Sequence, residues 1–194
     1  FNDDFAVRGA VSTGFRAPSL QQSGYTAFTT NLGSDGTLTQ SFTANTGTAF
    51  PSALGVDSLE LETSTNYSAG FVYDVTSELS LTVDFYRVEI KDRITLGSLL
   101  SAEDVAFSDE AVAALQATGA VQANYFSNSV DSTTQGVDII ASYRTDVEGG
   151  NFGVTFAGNL NDTKIDNVNA EEGIPESVAF DDLQRSFFTD GQPG

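Results

Sequence analysis

The sequence contains no methionine, no cysteine and no histidine. Without methionine the chain does not open at a translation start, and we expect residues 1–194 to be a segment of a longer polypeptide. Without cysteine there is no disulfide framework, thiolate metal site or cysteine nucleophile in this segment. Without histidine the commonest general base and the commonest transition-metal ligand are both missing. Basic residues are scarce: 8 Lys and Arg stand against 27 Asp and Glu, for a net charge of −19. Such a chain repels phosphate backbones, so nucleic acid is not an expected partner. It also lacks the basic cluster that docks proteins electrostatically on anionic lipid. No run approaches the roughly 18 apolar residues of a transmembrane helix, and no signal peptide is expected within 1–194. A membrane assignment therefore has to rest on β periodicity.

That periodicity is what the sequence does have. Phe5, Val7, Gly9, Val11, Thr13 and Phe15 fall on one face, against Asp4, Ala6, Arg8, Ala10, Ser12 and Arg16 on the other. From residue 59 the pattern is longer. Leu61, Tyr67, Ala69, Phe71, Tyr73 and Val75 share a side, opposed by Glu60, Glu62, Asn66, Gly70 and Asp74. Period two over this length predicts strands with one apolar and one polar face. Residues 74–78 read as a tight turn. The next strand carries Leu79, Leu81, Val83 and Phe85 on its apolar side, and past Tyr86 the phase changes to Val88, Ile90 and Ile94. Either a β-bulge near residues 85–86 produces the change, or the strand leaves the membrane there. A further pair sets Val137, Ile139, Ala141 and Tyr143 against Asp138, Ser142 and Arg144, with Ile140 interrupting the polar face. Phe152, Val154, Phe156 and Leu160 follow a turn at 148–151. A weak segment at 183–188 is a candidate sixth strand.

The connections alternate in length. Those after Val75 and Val147 are tight, whereas 20–58, 97 to about 121 and 166 to about 180 are long. Structureless loops of that length count against a compact soluble domain but are the rule on one rim of an outer-membrane barrel. Within the second, Ser108 as N-cap, Asp109 and Glu110 in the first turn and Gly119 past the end predict a short helix, with Val112 and Leu115 on its packing face.

Specific stretches then resemble a known family. Arg8-Gly9-Ala10-Val11-Ser12-Thr13-Gly14-Phe15-Arg16-Ala17-Pro18 resembles the strand of TonB-dependent receptors that ends in Phe-Arg-Ala-Pro. Leu61-Glu62-Thr63-Ser64-Thr65-Asn66-Tyr67 is similar to that family's next strand, and Val83-Asp84-Phe85-Tyr86-Arg87-Val88 to its partner. Asn128-Ser129-Val130-Asp131, leading to Gly136-Val137-Asp138, is similar to the strand after that. The match spans roughly residues 5 to 165. It implies that 1–194 is part of the C-terminal β-barrel domain, an all-β, antiparallel up-and-down meander within a transmembrane barrel of about 22 strands. The resemblance also implies a bacterial outer-membrane location and partners in outer-membrane lipid, a plug domain and the TonB energy-coupling complex. The cargo would be a small-molecule chelate, an iron–siderophore complex in the first place. Plug, TonB-contacting segment and terminal strands lie outside 1–194.

No catalytic constellation stands out, and no cofactor or metal site is expected. The acidic pairs at 3–4, 171–172 and 181–182 fit no calcium-loop pattern. The best candidates for ligand contact are Arg16, Arg87 and Arg93, read as lumen-facing near the long-loop rim, where a guanidinium could meet an anionic chelate. The competing reading is that they neutralise neighbours such as Glu62 and Glu89. At the level of the whole chain, a secreted or surface all-β adhesin or binding module is the alternative, and a hydrolytic β-domain a third. The discriminating feature is the apolar face. In a barrel Phe71, Tyr73, Val83, Phe85, Val137, Ile139, Val154 and Phe156 meet lipid; in a sandwich they bury one another.

Overall fold

The computed structural model describes residues 4–32, 36–56, 58–102 and 108–170, together with 174, 176, 180 and 185. The acidic residues 3, 171, 172, 181 and 182 lie outside the described set, as does 183–188 apart from Arg185. In chain order the elements are β1 (Phe5–Arg16), α1 (Leu20–Gly24), β2 (Ala27–Leu32), β3 (Leu38–Ala44), α2 (Ala49–Ala53), β4 (Glu62–Asp74), β5 (Leu79–Leu96), β6 (Leu100–Ser101), α3 (Asp109–Thr118), β7 (Gln122–Val147) and β8 (Gly150–Val168).

The long strands pair in the order of the chain: β1 beside β4, β4 beside β5, β5 beside β7, and β7 beside β8. This is the expected meander. Its two tight turns fall where the glycine and polar clusters put them. Val75 N–H donates to the Leu79 carbonyl at 2.8 Å between β4 and β5, and Gly149 takes φ 98° between β7 and β8, a left-handed conformation that glycine adopts without steric cost.

The long connections hold more structure than the sequence reading expected. Within 20–58, β2 and β3 form an antiparallel hairpin, and β3 then joins β7 in parallel, with Ser41 to Ala44 beside Gln122 to Tyr125. Two-residue β6 pairs with the same end of β7. The predicted helix is present as α3. Ser108 Oγ accepts from Ala111 N–H at 3.2 Å and Gly119 closes the helix at φ 78°.

Two compact units divide these elements. The first comprises 1–14, 64–89 and 133–164. Its segments 64–74 and 79–89 have the roughly 9–11 residues with which a tilted strand crosses hydrocarbon. Among its described residues no apolar side chain is buried. Val7, Val11, Phe85, Val154 and Phe156 are 55 %, 71 %, 55 %, 57 % and 66 % exposed, while Phe71, Val83, Val137 and Ile139 are half-buried. Phe5 packs on Phe71 and Tyr73 at 5.9 and 6.2 Å between ring centroids. The second unit comprises 15–63, 90–132 and 165–194 and is built the other way round. Its core gathers Phe42, Ala44, Phe50, Leu100, Leu115, Ala123 and Tyr125, with Val130, Val168 and Phe180 in a second cluster. Apolar groups inside are what water demands. Apolar groups outside, on strands of spanning length, are what lipid permits.

Candidate functional site

The polar face of the first unit carries a series of hydrogen bonds between strands, two of them passing over glycines. Arg8 on β1 and Asp84 on β5 are separated by β4, yet the guanidinium grips the carboxylate with both Nε, at 2.7 Å, and a terminal nitrogen. Strands lie about 4.8 Å apart, so the two side chains must lie flat across β4, and they cross it at Gly70. A Cβ there would run into the Asp84 carboxylate and stand 2.6 Å from the Val83 carbonyl oxygen. The device recurs one step along the sheet. Tyr86 of β5 lies over Gly136 of β7, where a Cβ would stand 2.5 Å from the phenol oxygen, and that oxygen accepts from Asn159 Nδ2 of β8 at 3.2 Å. Asn159 also donates to Asp138 at 2.5 Å. Ser142 with Thr155 and Thr134 with Thr163 complete the face.

Asp84 and Tyr86 share this face, so alternation along β5 runs unbroken through Phe85. No bulge is needed at 85–86; of the two readings, the strand leaving its apolar surroundings is the one that fits. Arg87 and Glu89 follow Phe85 onto the apolar-side face. There Arg87 Nε donates to Glu89 at 2.8 Å, and Arg87 does not share the polar face with Arg8, Asp84 and Tyr86.

Arg16 and Arg93 come together in the second unit, around Glu62. Arg16 donates to both carboxylate oxygens, at 2.7 and 2.5 Å, and the Ile94 backbone N–H donates to the same carboxylate at 2.8 Å. Arg93 reaches Ser132 Oγ at 3.5 Å. Glu62 is buried, 8 % exposed, and an ionised carboxylate is tolerated there because these donors replace its water. Beside this hub, Asp92 adopts φ 56°, unusual for a residue other than glycine. Its N–H donates to Asp131 at 2.9 Å and its carbonyl accepts from Asn128 at 2.6 Å, so β7 side chains hold both backbone groups. Sequence reading named Glu62 only as a neighbour of the arginines and missed Gly70, Gly136 and Asp92. Glycine in the interior of a strand was the available signal.

No cluster of acids able to hold a metal ion occurs among the described residues.

Residues 1–186 match the family described as TonB dependent receptor-like, β-barrel. The chain belongs to that family, and its polar and apolar faces are those of a strand meander from a large transmembrane barrel. No curated protein matches the sequence. Among solved structures, the siderophore receptor PirA from Pseudomonas aeruginosa is similar at 15% identity and a TM-score of 0.46, over 86% of this chain and 29% of that one. The RagAB peptide importer is similar at 17% identity and a TM-score of 0.48, over 86% of this chain and 16% of its own. The copper transporter OprC is similar at 15% identity and a TM-score of 0.44, over 91% and 20%. The chain thus spans less than a third of each of these proteins.

Proposed function

We propose that this chain is part of the barrel of a bacterial outer-membrane receptor that takes up a scarce ligand, an iron–siderophore complex, with energy passed through TonB. The observation that carries the reading is the reversal between the two units. Strands of membrane-crossing length in the first unit expose Val11, Phe85 and Phe156, while the long connections in the second fold around a water-type core. On this reading residues 1–194 are one partial barrel domain, and a plug domain and the TonB-contacting segment belong to the rest of the receptor. The polar face lines the lumen, and Arg16 and Arg93, gathered at Glu62, are the groups nearest to hand for an anionic chelate. Arg87 is a weaker candidate because it follows Phe85.

The test is uptake in cells whose full-length receptor gene has been deleted and restored under iron starvation. Restoration is expected to recover accumulation of radiolabelled iron from at least one siderophore, and to lose it again when TonB is absent. Accumulation independent of both the gene and TonB across hydroxamate, catecholate and carboxylate siderophores would refute the iron reading.

A further inference from the structure

Three long polar side chains of the first unit lie across a glycine of the neighbouring strand, and the strand registers place each in a row. Asp74 N–H donates to the Asp4 carbonyl and Val75 N–H to that of Leu79, both at 2.8 Å. These bonds set Arg8 of β1, Gly70 of β4 and Asp84 of β5 side by side, the row in which the guanidinium crosses the glycine to its carboxylate. Arg144 N–H donates to the Glu78 carbonyl at 2.8 Å, which sets Tyr86 of β5 beside Gly136 of β7. Here the phenol crosses to Asn159 of β8. The bonded pairs Ser142–Thr155 and Thr134–Thr163 fix the register between β7 and β8. In it Val137 lies opposite Leu160 on one face, and Arg144 opposite Gly153 on the other. A Cβ at Gly153 would stand 3.5 Å from Arg144 Cγ, so the stem of Arg144 leans flat over the glycine. The first two rows end on a hydrogen-bonding side chain of a third strand. The row Arg144–Gly153 has no third strand among the described residues, where β8 pairs with β7 alone.

We propose that this row is completed by a carboxylate on the barrel strand that pairs with the open edge of β8, ion-paired to Arg144 across Gly153. The chemistry follows from the first row. A guanidinium whose stem lies flat on a sheet presents its planar fork along the sheet, and a carboxylate takes that fork with two bonds, as Asp84 takes Arg8. The charges around it point the same way. In a chain of net charge −19, Arg8, Arg16, Arg87 and Lys164 each engage a carboxylate. Among the described residues none engages the side chain of Arg144, although Asp4, Asp74, Glu78 and Asp146 line the clefts around it. The fork is left for a group outside these strands. That group belongs to a strand and not to a plug, because the crossing stays in the plane of the sheet and the open backbone edge of β8 itself calls for a neighbour. The row rests on the barrel reading, which supplies a strand beyond β8, but not on the identity of the transported ligand.

The experiment uses the full-length receptor with photoreactive p-benzoylphenylalanine in place of Arg144, irradiated in outer-membrane preparations, and identifies the crosslinked peptide by mass spectrometry. The expected product joins position 144 to the strand beside β8, next to an Asp or Glu. Arg144→Glu is expected to lower the temperature of the heat-dependent gel shift of the assembled barrel. Changing that one carboxylate to Arg in the same molecule should regain most of the loss, although the same change made alone lowers the temperature too; the double-mutant comparison isolates the pair from its surroundings. Arg144→Gln, which removes the charge without reversing it, serves in the same comparison where Arg144→Glu fails to assemble, with the carboxylate changed to its amide. A crosslink to the plug overturns the proposal, as does a crosslinked strand with no Asp or Glu beside the product, or a lack of coupling between the two positions. A wild-type receptor without a heat-dependent gel shift would refute the barrel reading itself, and the row with it.

Discussion

Single residues carry the polar face, and the two strand glycines are the most exacting of them. Gly70→Ala places a methyl group against the Asp84 carboxylate and the Val83 carbonyl oxygen. The expected cost is about 1–3 kcal/mol, the usual range for overpacking, read as a lowered temperature for the heat-dependent gel shift of the assembled barrel. Adding Asp84→Ala should restore only part of the loss, because the backbone oxygen remains in the way. Full restoration would mean that the side chain alone imposes the glycine. Glu62 offers a contrast between partners. Glu62→Ala strips the carboxylate from Arg16, Arg93 and the Ile94 N–H at once, and should cost roughly 1–3 kcal/mol. Arg16→Ala leaves Glu62 its backbone donor and Arg93, and removes a side chain that is 54 % exposed, so about 1 kcal/mol or less is expected. Equal losses in thermal unfolding of the two variants would contradict the view of Glu62 as the hub.

At the scale of elements, α3 shows how the long connections are held. Leu115 is 1 % exposed within the core that also takes Phe50 and Tyr125. Leu115→Ala should remove about 2–5 kcal/mol of local stability, and Ser108→Ala about 1 kcal/mol through the lost cap. Hydrogen exchange should then speed up in 109–118 and 49–53 while 64–74 and 150–164 keep their protection. Uniform acceleration would show that the connections have no core of their own. These elements also mark the limit of what the sequence discloses. β1, β4 and β8, and in part β5 and β7, were legible because period-two alternation is a local signal, and α3 because its caps are local too; on β7 the alternation covers only 137–144, with Ile140 out of phase, of a strand that runs from Gln122 to Val147. β2, β3 and β6 were not legible: they are short, and β3 finds its parallel partner at residues 122–125, some 80 residues further along. Nothing in the run from Leu38 to Ala44 names that partner. The Glu62 hub was half legible for the same reason. Its residue types were evident, but the convergence of Arg16, Arg93 and the Ile94 N–H depends on strand register. The placement of Arg87 required the parity of Asp84 and Tyr86, which only their contacts over Gly70 and Gly136 reveal.

For the molecule as a whole, the central assignment is that one face of β5, β7 and β8 meets hydrocarbon up to the row of Phe85, Val137 and Leu160, with polar groups taking over beyond it. Residues 1–194 contain no cysteine, so once any cysteine elsewhere in the receptor is replaced by serine, a single introduced thiol reports one position. Cysteines placed one at a time at Phe85, Val154, Phe156 and Leu160, and for comparison at Asp84, Thr155, Asn159 and Asp162, can be labelled with an environment-sensitive fluorophore in the full-length receptor. Quenching is then measured in bilayers whose acyl chains carry bromine. Strong quenching is expected at the first four sites and little at the other four, with Leu160 and Asp162 differing although they share a face. Quenching that ignores the alternation, or that is weak at Phe85, Val154 and Phe156 alike, would contradict the assignment of this face to lipid.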